Sequence, residues 1–348
     1  MSEQAIGTFG ELPVPPHFAP GKVGEVWRTE YQKRALEAEK WADLHSIGPA
    51  SSDPRRIALL LVDVQNSFCI PGFELFVGGA SGNGAVEDNR RLCEFLYRNL
   101  HRISLVIATM DTHQAMQIFH CIFFIDEKGD HPDPFAILTV EDIEQGRFKP
   151  HPEVMKNLGI DPGYAKKYLD HYTKTLRSGG KYDLTIWPYH AMLGGIGHAL
   201  VSAVEEALFF HSMARFTQPQ FRIKGQNPMT EHFSVLGPEV THGPQGEVVA
   251  KKDVSLMEEL QDFDAVIIAG QAKSHCVAWT IADLLEDIQR RESDQAGKFY
   301  LLEDCTSPVV IPGIVDYTEP AERAFRRFSQ AGVHVVRSVV PMDSWLEV

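Results

Sequence analysis

Residues 264–287, DAVIIAGQAKSHCVAWTIADLLED, decide the fold. Ala265, Val266, Ile267, Ile268 and Ala269 run unbroken to Gly270. An apolar run this short, closed by a glycine, reads as a strand buried on both faces. After the polar turn, Val277, Trp279, Thr280, Ile281, Leu284, Leu285 and Ile288 recur at helical spacing, with charged residues opposite. Cys276 therefore stands where a buried parallel strand gives way to a helix. The free N–H groups and partial positive charge at a helix start favour a thiolate and can hold an oxyanion. An arbitrary free cysteine is more often a small core hydrophobe. The strand-to-helix position weights this one towards chemistry.

The same grammar repeats along the chain. Residues 57–62 are a continuous apolar run ending at Asp63, and residues 103–109 form a second strand that leads into Asp111 and His113. Shorter strands are expected at 221–223, ending on Lys224, at 299–302 and at 333–337. Helices are expected at 89–100, 199–214, 254–260 and 319–330. Strands alternating with helices mean a parallel sheet with right-handed crossovers. The expected fold is α/β, a three-layer α/β/α sandwich around a six-stranded, mostly parallel sheet. In such sheets ligands bind beyond the carboxyl ends of the strands, which is where Asp63, Asp111, His113, Lys224 and Cys276 fall. An Asp at a strand end commonly does no more than cap a loop, and an Asp-x-His pair is by itself a weak metal signal. Directly after a buried strand, however, Asp111 and His113 suit a Zn²⁺, Fe²⁺ or Mn²⁺ site.

Two segments stand outside this pattern. Residues 1–55 read as an extension: Pro13, Pro15, Pro16 and Pro20 keep its first part irregular, and Trp27, Tyr31, Ala35, Ala38 and Trp41 then recur at helical spacing. Such a stripe docks on its own chain or on a partner subunit. Residues 121–183 carry many turn signals and one or two short helices, and read as an insertion within a domain spanning 56–348. The glycine-rich loop after Cys69 lacks the Lys-Ser/Thr of a phosphate loop, so no nucleotide site is expected.

The 348 residues carry a net charge of −14 without a Lys/Arg block, which argues against nucleic acid and anionic membranes as partners. No apolar run is long enough to span a bilayer, and residues 1–10 lack the basic and apolar regions of a secretion signal. The five cysteines have no CxxC pairing, so reduced thiols in the cytoplasm are expected.

Taken as an ordered set, DVQNSF from Asp63, ATMDTH from Ala108, WPYH from Trp187, IKG from Ile223 and GQAKSHCVAWTIAD from Gly270 resemble the isochorismatase-like cysteine hydrolases, within them the nicotinamidase/pyrazinamidase group. The resemblance implies a catalytic triad of Asp63, Lys224 and Cys276. It implies metal ligands at Asp111, His113 and His190, with His120 near the place of a further histidine. It also implies a cis peptide at Gln271-Ala272 and an oxyanion held by the N–H groups of Ala272 and Cys276. Phe68, Trp187 and Gln271 fall at substrate-contacting positions, although Phe68 and Trp187 taken alone would be read as core aromatics. The implied reaction is hydrolysis of a small amide through a cysteine thioester, with a divalent metal, zinc before iron or manganese, and an oligomeric enzyme. Ureido compounds, lactams, a vinyl ether or a non-catalytic binding role are the alternatives. The chain departs from the family pattern at Ser67, where an acid is usual, at Ala191, where a cysteine is usual, and after Lys224, where Asp-Ser-Tyr is usual. These positions surround the expected substrate and leave its identity open.

Overall fold

In the computed structural model, residues 10–180, 182–291 and 295–346 are described; the reading of residues 1–9 as free of a secretion signal lies outside them. Six strands form one sheet: β1 (Ile57–Val62), β2 (Leu105–Asp111), β3 (Gln220–Lys224), β4 (Ala265–Gly270), β5 (Phe299–Leu302) and β6 (His334–Val336). Their order is β6-β5-β4-β1-β2-β3 and every pairing is parallel. The helices are α1 (Tyr31–Leu44), α2 (Asn66–Cys69), α3 (Gly84–Arg98), α4 (Val140–Glu144) and α5 (Pro152–Leu158). They continue with α6 (Pro162–Ser178), α7 (Ser202–Arg215), α8 (Val254–Gln261), α9 (Cys276–Arg290) and α10 (Thr318–Gln330).

The pleat of the central strands divides the core in two. Ile57, Leu59 and Leu61 face the layer of α1, α3 and α7, while Ala58, Leu60 and Val62 face α8, α9 and α10. The three-layer α/β/α architecture results, because strands apolar at every position need cover on both sides. Register then places the chemistry. Val62 pairs with Gly270 across β1 and β4, and Asp111 pairs with Lys224 across β2 and β3, all at the carboxyl edge.

The extension packs on its own chain. Arg34 in α1 donates to Glu206 of α7 at 2.8 Å, both side chains buried, and Tyr31 donates to Glu205 at 2.8 Å. Trp27, expected within the helical stripe, precedes α1 instead, because Ser202 Oγ ties both its N–H and its carbonyl. Helix α3 begins at Gly84 rather than at residue 89. Its buried face includes Asp88 and Asn89, polar residues that break the apolar period.

The insertion differs most from expectation. It holds three helices, and α6 runs for 17 residues. Its inward face is Ala165, Tyr168, Leu169, Tyr172, Thr173 and Leu176, a helical stripe that tyrosines and a threonine disguise as polar. All of these except Thr173 join a third core with Phe119, Phe123, Phe124, Ile186 and Trp187. Among the described residues no helix is long and apolar enough to cross a membrane.

Gly270 closes β4 with φ +121°, and a Cβ there would lie 2.1 Å from the Val62 carbonyl oxygen. Gly270→Ala should therefore lower the unfolding free energy by more than about 2 kcal/mol in a urea titration, since neither backbone can yield. A change within about 0.5 kcal/mol would contradict this reading of the β1–β4 edge.

Candidate active site

Three strand ends and one helix start converge on the Lys224 ammonium. Its Nζ lies 2.9 Å from Asp63 Oδ2 beyond β1 and 2.9 Å from Asp111 Oδ1 at the end of β2. It also donates to the His232 carbonyl at 2.9 Å and approaches Cys276 Sγ at 3.6 Å. All four side chains are buried. Asp63 is held by Thr109, whose hydroxyl donates to Oδ1 and accepts from the Asp63 N–H at 3.0 Å. Its φ of +47° is uncommon for a residue other than glycine, and such residues concentrate at functional sites.

Electrostatics sort the four groups. Burial alone would strip Lys224 of its proton, but Asp111 and Asp63 hold its pKa well above the ordinary value. Burial pushes Asp111 upward, yet His113 and Lys224 outweigh it and hold the carboxylate ionised well below the usual range. Asp63 is raised, because burial and the like charge of Asp111 outweigh Lys224. Burial drives the Cys276 thiol well above its usual pKa; Lys224 opposes this, and Asp63 and Asp111 add to it. The resting state is a thiol beside an ammonium and a carboxylate of heightened basicity.

The turn before Cys276 is built to present backbone N–H groups. The Gln271-Ala272 peptide is cis. The Gln271 side chain is anchored at both ends: Nε2 donates to Asp88 at 2.9 Å and Oε1 accepts from Ser307 N at 3.2 Å. Gln271 thus fixes the turn, and it also lines the cavity that opens on Cys276, the place expected of it. The Ala272 carbonyl accepts from the N–H groups of His275 and Val277, while the N–H groups of Ala272 and Cys276 meet no backbone acceptor in these turns among the described residues. Lys273 pairs with Glu322 and lies over the Phe325 ring at 4.5 Å, an anchor for the same turn.

Beside the lysine, the ligand atoms of Asp111, His113 and His190 lie within 4.8 Å of one another. Each ring is oriented by a carbonyl at Nδ1: Gly225 at 3.2 Å for His113 and Pro188 at 2.7 Å for His190. His120 shares the pattern, with Nδ1 at 3.1 Å from the Ala115 carbonyl and its ring 6.0 Å from both His113 and His190. Its buried Nε2 meets no partner among the described residues. Carbonyl-anchored imidazoles with inward Nε2 atoms around a carboxylate are the donor set that a divalent ion takes. Gly225, at φ +84°, makes room for them; a Cβ there would lie 2.7 Å from the His113 ring.

A cavity of about 400 Å³ opens on Cys276 and the imidazoles. Phe68 and Trp187 both line it, as expected. The Phe68 ring stands edge-on to His190 at 5.6 Å, and Trp187 stands edge-on to His275 at 5.7 Å. His275, a turn residue by its place in the sequence, has its ring buried in this aromatic wall, and burial lowers its pKa to about 3. The departures at Ser67 and Ala191 prove to be one feature. Ala191 N donates to Ser67 Oγ at 2.9 Å, and Ser67 Oγ donates to Glu74 at 3.1 Å, so a carboxylate reaches this place from a neighbouring loop. Sequence reasoning does not single out Thr109, Asp88, Glu231 or His232. Thr109 could be found by its two-residue offset from Asp111; the other three lie in no recognisable motif.

No protein-family model matches the chain. Its sequence is similar to the nicotinamidase of Escherichia coli (strain K12), 24% identical over 234 residues, 66% of this chain and 76% of that protein. Among solved structures, a yeast nicotinamidase bound to the inhibitor nicotinaldehyde aligns over 81% of this chain and 99% of its own, with a TM-score of 0.49 and 19% identity. An Acinetobacter baumanii nicotinamidase/pyrazinamidase aligns over 82% and 97%, with a TM-score of 0.48 and 18% identity. A pyrazinamidase of Pyrococcus horikoshii in complex with zinc aligns over 81% and 98%, with a TM-score of 0.42 and 17% identity.

Lys224→Met would leave Asp63 and Asp111 as buried carboxylates without the ammonium. The expected loss of stability near neutral pH is about 3–5 kcal/mol. Linkage gives the sign with pH: carboxylates raised on folding lose stability as pH climbs. Urea midpoints of the variant should fall further behind the parent between pH 4 and pH 8, and a constant gap would refute the charge balance.

Proposed function

We propose that this chain, a homologue of nicotinamidases, is an amidohydrolase that releases ammonia from a small amide through a thioester on Cys276. The observation that carries the reading is the position of the Lys224 ammonium, 3.6 Å from the Cys276 sulfur and 2.9 Å from the Asp63 carboxylate. A nucleophile, a proton carrier and a cation that stabilises the thiolate are then in one place.

Asp63 takes the thiol proton as sulfur attacks the amide carbon, and Lys224 stabilises the negative sulfur. The carbonyl oxygen becomes an oxyanion facing the N–H groups of Ala272 and Cys276, an arrangement in which each donor contributes about 3 kcal/mol to the barrier. Collapse breaks the C–N bond, and the proton on Asp63 leaves with the amine. Water then attacks the thioester, Asp63 accepts its proton, and the carboxylic acid departs as the thiol re-forms. The raised pKa of Asp63 suits this traffic, since a more basic carboxylate accepts a thiol proton more readily.

The residues that would hold a divalent metal are Asp111, His113, His190 and His120, a set that suits zinc, iron(II) or manganese(II). When bound, such an ion would orient the substrate or a water and polarise it. Asp111 serves both this cluster and Lys224, so it ties the metal ligands to the nucleophile.

Two measurements test the reading. Cys276→Ala should abolish ammonia release from small amides while the circular dichroism spectrum persists; turnover retained in that variant would exclude the thioester. Separately, His190→Ala should lower the metal content of purified protein by tenfold or more in elemental analysis, the scale typical of lost ligation support. Equal content in both proteins would remove the cluster from metal binding.

A further inference from the structure

Glu231 is buried on the wall of the cavity. Its Oε1 accepts from Trp187 Nε1 at 3.1 Å and its Oε2 from Tyr172 Oη at 3.2 Å. Two neutral donors use half of the four acceptor sites of a carboxylate. Among the described residues no lysine or arginine pairs with it, and none lines the cavity. Lys224 beyond the wall is already balanced by Asp63 and Asp111. Of the histidines that line the same space, burial lowers His232 and His275 to about 3 and leaves both neutral, while His113 and His190 are grouped with Asp111. The nearby acids, Glu239 and Asp111, add negative potential rather than relieve it. Glu74 contributes a further carboxylate to the lining.

Aromatic rings surround the carboxyl. Trp187 stands perpendicular to Phe135 with centroids 6.3 Å apart, and His275 lies 5.7 Å from Trp187 and 5.4 Å from Phe233. A buried acid without a counter-ion inside aromatic walls is the chemistry that receives a cation, by charge and through the ring faces. We infer that Glu231 is a specificity-determining residue and that the preferred substrate is an amide bearing a positive charge, an ammonium or an alkylated pyridinium, apart from its scissile bond. The inference rests on the reading of Cys276 as the nucleophile only in calling the ligand a substrate.

Burial and then Glu239 push the Glu231 pKa up to about 8, so the free site is mostly protonated at neutral pH. A cation arriving beside it stabilises the ionised form and displaces that proton.

The test uses three matched amides: 3-(aminomethyl)benzamide, cationic; 3-(hydroxymethyl)benzamide, neutral; and 3-carboxybenzamide, anionic. Ammonia release is measured with the full-length enzyme as purified, and binding to Cys276→Ala is measured by calorimetry. The cation should exceed the neutral amide in kcat/KM and in affinity by about tenfold, the scale of a hydrogen bond to a charged group, and the anion should fall below both. In Glu231→Gln the cation-to-neutral ratio should drop below about threefold, a readout that a loss of packing around Trp187 would not produce because it would lower all three amides alike. Equal handling of cation and neutral amide, or an unchanged ratio in Glu231→Gln, overturns the inference. Cation-selective binding without turnover of any amide would instead overturn the amidohydrolase reading and leave the charge preference standing. Turnover without charge preference would do the reverse.

Discussion

A single ammonium buried between two carboxylates holds the carboxyl edge of the sheet together. Lys224 lies 2.9 Å from Asp63 and 2.9 Å from Asp111, with almost no solvent on any of the three. Each charge would be costly alone in the interior, and their mutual attraction makes the arrangement tolerable. The pair Asp111 and Lys224 is set by strand register, while Asp63 reaches the same point from the next strand over, at a backbone angle held by Thr109. Because burial and the two carboxylates outweigh the ammonium, the sulfur of Cys276 sits beside a cation without being forced to ionise at rest.

Around that centre the molecule divides its labour. The sheet and helix α9 supply Cys276, Lys224 and Asp63. A second polar chain, Arg91 to Asp88 to Gln271 to Ser307, fixes the turn that precedes Cys276. The opposite wall comes from the inserted segment together with Trp187 and the loop after β3. Tyr172 of α6 and Trp187 clamp Glu231, and the third hydrophobic core backs them. The buried charge cluster and the aromatic wall of the cavity thus rest on different pieces of chain. A change in the insertion can reshape the cavity without disturbing the strand ends, the usual division between a rigid scaffold and variable segments.

The positions at which the chain departs from the isochorismatase-like pattern are linked in space. Ser67 is not a loss of the customary acid so much as a relay to Glu74, and Ala191 accepts the new arrangement through its backbone N–H. The segment after Lys224 brings His232, whose carbonyl binds the ammonium, and Glu231, whose carboxyl lines the cavity. Both sets of changes alter the cavity and its borders and spare the charges of Asp63, Asp111 and Lys224.

Much of this architecture is legible in the residues themselves. Apolar runs such as 57–62 and 265–269 must be covered on both faces, so local pattern alone demands a parallel sheet between helices. The strand ends then name Asp63, Asp111, Lys224 and Cys276 as neighbours at one edge, because ligands of such sheets gather there. What periodicity cannot reveal is carried by polar atoms with distant partners. Asp88 and Asn89 hide the start of α3, tyrosines hide the buried face of α6, and the bonds of the Gln271 amide to Asp88 and Ser307 join residues far apart in the chain. Glu231 is the sharpest case: in sequence it is one acid in a polar stretch, and only its burial against Trp187 and Tyr172, 44 and 59 residues away, makes it a wall of the cavity. Local sequence determines which segments must be buried, whereas the partner of a buried charge is decided by long-range packing.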